Sequence, residues 1–384
     1  MSVTFPKGFR AAGVVAGLKA SGKPDVALVV NDGPDFVSAG VFTSNRIKAA
    51  PVLWTQQCNS NGSFHAVVLN SGGANACTGP EGFADTHHTA ELVAELLDIG
   101  AIDVAVCSTG LIGKRLPMDK LISGVKQAHQ ALTADGGNDA ATAIMTTDSV
   151  AKTATFTSPE GWSIGGMAKG AGMLAPGLAT MLVVITTDAQ INKSVADNAL
   201  RHATRLSFDR IDSDGCMSTN DTVLLLASGA SSQTPEHETF TEALTQVCQD
   251  LARQLIADAE GASKDIKIVV TNAASEDDAV NVARTVSRSN LLKCAIHGED
   301  PNWGRVLSAI GTTDAAFEPD GIDVDFNGVA VCRAGAALAE EPVVDLSGRE
   351  VVIDIKLNAG NHEATLWTND LTAMYVHENS AYST

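Results

Sequence analysis

Basic residues are scarce. The 384-residue chain has 26 Lys and Arg against 45 Asp and Glu, a formal net charge of −19. A protein charged this way repels phosphate backbones and anionic lipid headgroups, which argues against nucleic acid and membrane partners. Cysteine is sparse as well: seven in all, an odd number with no C-x-x-C pair, giving neither a disulfide framework nor a zinc spacing and fitting a reducing cytosol. No apolar stretch approaches the length of a bilayer span. After Lys7 and Arg10 the run from Ala11 to Leu18 is short, broken by glycine and without a convincing cleavage site, so it does not read as a signal peptide. The common catalytic signatures are missing too, with no G-x-S-x-G elbow, no H-E-x-x-H and no complete phosphate-cradling G-x-x-x-x-G-K-S/T.

What remains is a mixed, globular composition, 45% apolar and 18% charged, long enough for one large domain or two or three smaller ones. The 34 glycines against 2 tyrosines point to a compact α/β protein with many tight turns. Charge is unevenly spread. Residues 1–179 hold 12 basic and 14 acidic residues, net −2, and residues 180–384 hold 14 and 31, net −17, which reads as a solvated acidic face.

Short β-branched runs predict strands at Ala66 to Leu69, Val104 to Cys107, Met181 to Thr186, Ile266 to Val270, Gly328 to Cys332 and Val351 to Leu357. Asn358 to Asn361 reads as the turn of a hairpin returning through Ala364 to Thr368. The stretch Pro80 to Leu97 carries Leu92, Val93, Leu96 and Leu97 on one helical face, with Thr78 and Glu81 as a capping box. A second helix is expected to start at Pro235, with Phe240, Leu244, Val247, Leu251 and Leu255 as its apolar stripe. Strands and helices interleave throughout, which favours layers of sheet and helix.

Few residues advertise chemistry. Arg210 to Gly215 has an arginine where a calcium loop needs its first ligand, and reads as a polar turn. His297 beside Glu299 and Asp300 reads as a loop before it reads as a metal site. The informative segment runs from Gly165 through Lys169, Gly172 and Pro176 into Ala179, Thr180 and a strand, a glycine-rich approach with a threonine at the strand's entrance. Taken alone, Thr180 is simply a β-former.

Eight blocks, in order along nearly the whole chain, change that. They are Asn70-Ser-Gly-Gly-Ala-Asn-Ala-Cys-Thr-Gly79, Ser108-Thr-Gly-Leu-Ile-Gly-Lys-Arg-Leu-Pro117, Thr146-Thr-Asp148, the Gly165 to Asp188 segment, Ser218-Thr-Asn-Asp221, Glu260-Gly-Ala-Ser-Lys264, Gly298-Glu-Asp-Pro-Asn-Trp-Gly-Arg305 and Glu378-Asn-Ser-Ala-Tyr382. Together they make the chain resemble the glutamate N-acetyltransferases, or ornithine acetyltransferases, self-processing enzymes of arginine biosynthesis with an N-terminal threonine nucleophile. Departures from the common pattern are Gly73, Ala171 and Gly177, of which only Gly177 lies near the processing bond.

The resemblance implies a layered α/β helix-sheet-sheet-helix sandwich, cut between Ala179 and Thr180 into an α chain, 1–179, and a β chain, 180–384, intertwined in one assembly, α2β2. Thr180 becomes the nucleophile, and its freed α-amine, with a reference pKa of about 7.7 to 8, serves as its base. Thr109 through its hydroxyl and Gly110 through its N–H are implied as oxyanion donors; on residues alone Ser108 to Gly110 is a turn after a strand. Thr146 or Thr147, Lys169, Thr180, Glu260, Asn379 and Thr384 match the family's substrate-contacting positions. Without the resemblance Lys169 reads as a solvated loop lysine and Glu260 as a helix-end carboxylate.

The implied activity takes the acetyl group from N2-acetyl-L-ornithine and delivers it to L-glutamate in the cytoplasm, with no metal and no cofactor. Acetyl-CoA as a further acetyl donor is left open. Two alternatives stand beside it: a self-processing amidohydrolase or aminopeptidase, and a nonenzymatic small-molecule-binding protein whose Gly165 to Gly172 loop cradles an anion.

Overall fold

The computed structural model describes residues 2–175 and 181–381. They form two compact units, one from residues up to 209 together with 216–258, the other from 210–215 and the residues from 259 on. The described residues on either side of the family's expected cut at 179/180, those up to 175 and those from 181 to 209, belong to the first unit.

The first unit contains strands β1 (Phe9–Val14), β2 (Val26–Asn31), β3 (Val37–Phe42), β4 (Ala66–Ser71), β5 (Val104–Thr109), β6 (Lys152–Thr157), β7 (Ser163–Lys169), β8 (Leu182–Thr187) and β9 (Thr222–Ala227). Its helices are α1 (Ala50–Cys58), α2 (Gly79–Leu97), α3 (Met118–Gln130), α4 (Gly137–Ala143), α5 (Lys193–Arg205) and α6 (His237–Ala257). A four-stranded sheet, β1-β2-β4-β5, faces a five-stranded one, β3-β9-β8-β7-β6. Strands β2, β4, β5, β8 and β9 are buried along their whole length, as expected where both faces of a sheet are covered, and this is why they read as unbroken apolar runs.

Between the sheets lies one core to which β2, β4 and β5 contribute from one side and Met167, Leu182, Val184, Leu224 and Leu226 from the other. Helices α1, α2 and α3 cover the four-stranded sheet, and α5 and α6 the five-stranded one. On that outer face Gly166 lies against Leu251 and Val247 of α6 and Ile185 of β8. The order helix, sheet, sheet, helix is the layering the resemblance implied.

The second unit has strands β10 (Asp265–Ala273), β11 (Asp323–Phe326), β12 (Val329–Arg333), β13 (Ala336–Ala337), β14 (Glu350–Lys356) and β15 (His362–Asn369) in one sheet of order β13-β12-β11-β14-β10-β15. Helices α7 (Glu276–Ser287), α8 (Asn290–His297) and α9 (Trp303–Ile310) close its core, and α10 (Ala373–Ala381) follows the last strand.

Four sequence expectations need correcting. The stretch Asn358 to Asn361 is not a hairpin turn, because β10 lies between β14 and β15, parallel to the first and antiparallel to the second. Strands two places apart are separated by about 9.5 Å, which the five linking residues 357–361 cross easily, so turn composition alone could not reveal the inserted strand. The capping box at Thr78 and Glu81 does not form: Thr78 Oγ1 donates to Asn75 Oδ1 at 2.7 Å, and Glu81 accepts from Arg115 Nη1 at 2.7 Å. The glycine-rich run Gly165 to Lys169 is buried strand β7 and not a loop, so of the Gly165 to Gly172 stretch only Gly170 to Gly172 lies outside the strand. The α6 helix also begins at His237, two residues beyond Pro235.

Glycine in β7 has a packing reason. A Cβ on Gly165 would sit 2.3 Å from the Ser2 carbonyl oxygen, so the N-terminal segment can lie on the sheet only if this position is bare. Gly165→Ala should therefore lower stability by about 1–3 kcal/mol through overpacking, read from the urea midpoint; an unchanged midpoint would show that the N-terminal segment is not packed there.

Candidate active site

The end of β7 brings a charge into the interior. Lys169 is 1% exposed, and its Nζ donates to Thr109 Oγ1 at 3.2 Å. Thr109, 2% exposed, is the last residue of β5, and burial lets up at Gly110. Because the ammonium occupies a lone pair of the Thr109 oxygen, the hydroxyl proton is left to point elsewhere. The Thr109 carbonyl accepts from both Gly72 N at 2.9 Å and Gly73 N at 3.0 Å. Gly110 has φ +128°, and a Cβ there would meet Gly73 N at 2.6 Å. The turn is thus possible only for glycine, and the block Asn70 to Gly79 is its backing.

A buried carboxylate joins Lys169 to the Thr146 segment. Asp148 Oδ1 accepts from Gly170 N at 2.7 Å and from Lys152 Nζ at 2.6 Å, and Oδ2 accepts from Thr146 N at 2.9 Å. Lys152, also buried, reaches Asp258 as well. Burial by itself would raise the Asp148 pKa, but the charges of Lys169 and Lys152 and the Gly170 N–H hold it down at about 2. Lys19 donates to Met145 O at 2.6 Å, tying its loop to the residue before Thr146. Its amine is pushed down to about 8, chiefly by burial, with Lys169 acting in the same direction and Asp25 and Asp148 opposing.

At the opening of β8, Leu182 pairs with Lys169 on one side and Thr222 on the other. Met181 N donates to Asp221 Oδ1 at 2.9 Å. Asp221 is fully buried, and burial raises its pKa well above the carboxylate range despite the Met181 N–H and the Lys169 charge. Ala179, Thr180 and Thr384 lie outside the described residues.

In the second unit, Glu260 lines a cavity of about 510 Å³ together with Lys293, Asp370 and Tyr375. Asp370 fixes the segment after Glu260 by accepting from Ser263 N at 2.8 Å and Lys264 N at 2.9 Å. Gly261, at φ +63°, passes so close to α10 that a Cβ would lie 2.2 Å from Tyr375 N. The Lys293 amine is pushed down to about 8 by burial, with Asp212, Asp214 and Asp370 opposing. Asn379, a predicted substrate contact, donates through Nδ2 to Tyr375 O at 3.0 Å within its own helix. His297 Nδ1 is 2.9 Å from Asp370 Oδ2, and Glu299 is 3.3 Å from Lys264 Nζ, so both belong to a polar network that orders this segment.

Of the predicted site residues, the first unit brings Thr109, Gly110 and Lys169 together and links Thr146 to them through Asp148. Thr147 is half-buried beside Thr146. Lys19 and Lys152 carry no signal in the sequence, while Asp148 belongs to the Thr146–Asp148 block with no role of its own legible there.

A buried lysine donating to the hydroxyl of a threonine-glycine turn, beside the opening of a central strand, is an arrangement of the kind that acyl-transfer catalysts use to receive a developing negative charge. Comparison with known proteins says which kind. The model of the ArgJ family matches residues 10–384. The arginine biosynthesis bifunctional protein ArgJ of Streptomyces coelicolor is 67% identical over 383 residues, covering 100% of both chains. That of Thermobifida fusca is 60% identical over 384 residues, again covering 100% of both. Among solved structures, the ornithine acetyltransferase of Mycobacterium tuberculosis complexed with ornithine is 60% identical over 47% of this chain and 96% of that one, with a TM-score of 0.46. The chain belongs to the ArgJ family, the acetyltransferases of arginine biosynthesis.

The Asp148 carboxylate gives a pH test. Its folded pKa of about 2 lies below the ordinary 3.8, so its contribution is complete above pH 4 and lost as pH falls through 2. Asp148→Asn should cost about 2 kcal/mol at pH 7, a difference that shrinks toward pH 2. Urea unfolding of both proteins at pH 7 and pH 2.5 measures this, and a pH-independent difference would show that the charge is not what stabilises.

Proposed function

We propose that the chain moves the acetyl group of N2-acetyl-L-ornithine to L-glutamate through an acetyl ester on Thr180, the residue freed when the bond between Ala179 and Thr180 is cut. The observation that carries this is the 3.2 Å contact between Lys169 Nζ and Thr109 Oγ1 at the buried end of β7, whose neighbour β8 begins two residues after Thr180.

In this scheme the Thr180 hydroxyl attacks the acetyl carbonyl while the α-amine takes its proton. The negative oxygen of the tetrahedral intermediate is received by the Thr109 hydroxyl and the Gly110 N–H, each donor being worth about 3 kcal/mol in such sites. Lys169 adds a positive charge in a dry setting, where it acts more strongly than in water. The C–N bond of the substrate then breaks, the proton passes to the leaving amine, and L-ornithine departs. L-Glutamate attacks the ester through its own amine and reverses the steps, leaving N-acetyl-L-glutamate and the free threonine. Glu260 is the partner for the side-chain ammonium of ornithine, and Lys169, Thr146 or Thr147, Asn379 and Thr384 orient its polar groups. Every step uses groups of the chain and substrates, without metal or cofactor; acetyl-CoA as second donor is compatible with the same ester.

Cutting at 179/180 leaves β7 and β8 on different chains, paired in register from Ile164 with Thr187 to Lys169 with Leu182. Chains sharing a sheet in this way stay together, and two such pairs would form the α2β2 assembly. Among the described residues no helix is long and apolar enough to cross a membrane, in keeping with a cytoplasmic enzyme.

A denaturing gel should show two bands of 179 and 205 residues, the second with Thr180 at its terminus, and Thr180→Ala should leave one full-length band and no transfer. Acetylglutamate should appear in place of acetate when acetylornithine and glutamate are supplied together. Acetate as the main product would make the enzyme a hydrolase.

A further inference from the structure

The block Ser218 to Asp221 has no part in the scheme above, yet its last two residues touch both halves of the site. Asn220 is buried, and its Nδ2 donates to Ser108 O at 2.9 Å and to Ala74 O at 2.6 Å. Its Oδ1 accepts from Thr219 Oγ1 at 2.6 Å, which sets the orientation of the amide. Both of its N–H groups are thereby spent on the two carbonyls that flank the turn: Ser108 O belongs to the peptide plane leading into Thr109, and Ala74 follows the Gly72–Gly73 pair that holds Thr109 O. The next residue, Asp221, points the other way along the chain. Its Oδ1 takes the Met181 N–H at 2.9 Å, immediately before β8.

From this we infer that Asn220 and Asp221 are a pair of positioning residues that set the separation between the Thr109–Gly110 oxyanion donors and the start of β8. The inference rests on the proposed role of Thr180. Adjacent α-carbons are held about 3.8 Å apart by the peptide bond, so the two anchors form a covalent ruler. One end fixes the donors and the other fixes the strand that begins just after the nucleophile. The ruler is itself rigid, because Asp221 leads directly into β9, which pairs in parallel with β8 from Leu182 opposite Thr222. Neither residue needs to touch substrate.

Asn220→Asp keeps the shape but turns an oxygen toward the two carbonyls. It should leave processing at 179/180 intact and lower kcat about 100-fold, with KM for acetylornithine within about threefold, the signature of misplaced donors and not of weakened binding. Asn220→Ala, which adds no charge, should show the same split. Asp221→Asn retains an oxygen able to accept from Met181 N and should keep kcat within about threefold, whereas Asp221→Ala should lose about tenfold or more. Melting curves confirm that each variant is folded, and the Asp221 pair is read independently should Asn220 variants not accumulate.

Unchanged kcat in both Asn220 variants, a rise in KM alone, or equal loss in Asp221→Asn and Asp221→Ala would each overturn the inference. Wild-type protein without a Thr180 terminus sinks the parent reading instead, before any variant is measured.

Discussion

A charged amine sealed at the end of a strand constrains everything around it. Taking the Lys169 ammonium out of water costs several kcal/mol, and the fold holds it only because opposite charge and acceptors stand within reach. Asp148 provides the charge, and its own burial is offset by Lys152. Thr109 provides an acceptor. Each of these partners then does a second thing as a consequence. Asp148, brought in to balance Lys169, also fixes the Gly170 and Thr146 amides. Thr109, accepting from the ammonium, has its hydroxyl proton turned away from Lys169. The arrangement of the candidate site is therefore a by-product of keeping one cation buried.

The five-stranded sheet supplies the frame for that constraint. Its three inner strands, β9, β8 and β7, place Asp221, Met181 and Lys169 at the same end, since β8 and β9 run parallel and β7 returns antiparallel to both. The sequence segments meeting there lie on both sides of residue 180. If the chain is cut there as proposed, this arrangement keeps the two products in one sheet. The core between the two sheets mixes residues from both sides of that bond in the same way. Unit boundaries and the expected cleavage position thus answer to different demands: the first to where contacts are dense, the second to where one peptide bond can be attacked.

How far the residues reveal this varies with the range of the interaction. Strand β8 is legible to within one residue, as Met181 to Thr186 against Leu182–Thr187, because burial on both faces writes itself as an apolar run. Strand order is not legible, as the misread Asn358 to Asn361 turn shows, since a local sequence carries turn propensity and not the identity of the neighbour. Gly165 and Gly166 argue for a loop by propensity and sit in a strand because tertiary packing leaves no room for a side chain. Within the site, Lys169 is legible only through the resemblance. The role of Asp148 depends on Gly170, 22 residues away, and Asn220 on carbonyls at 74 and 108, separations that no pattern in a single chain encodes.

Glycine explains why the Thr109–Gly110 turn, proposed as the oxyanion site, is built where it is. Donor groups on side chains keep rotamer freedom, and ordering them has an entropic cost, whereas a main-chain N–H held in a turn is already ordered. Using the main chain demands that two backbones approach closer than side chains allow. At Gly110 the neighbouring backbone is so near that any Cβ would overlap Gly73 N, and the Gly72 and Gly73 N–H groups are both occupied by Thr109 O. On that side the turn is backed by bonded protein and not by solvent. Under the proposed role the same close packing that orients the donor also backs it with protein, which matters to a transferase because water is the competitor that separates acetyl transfer from simple hydrolysis.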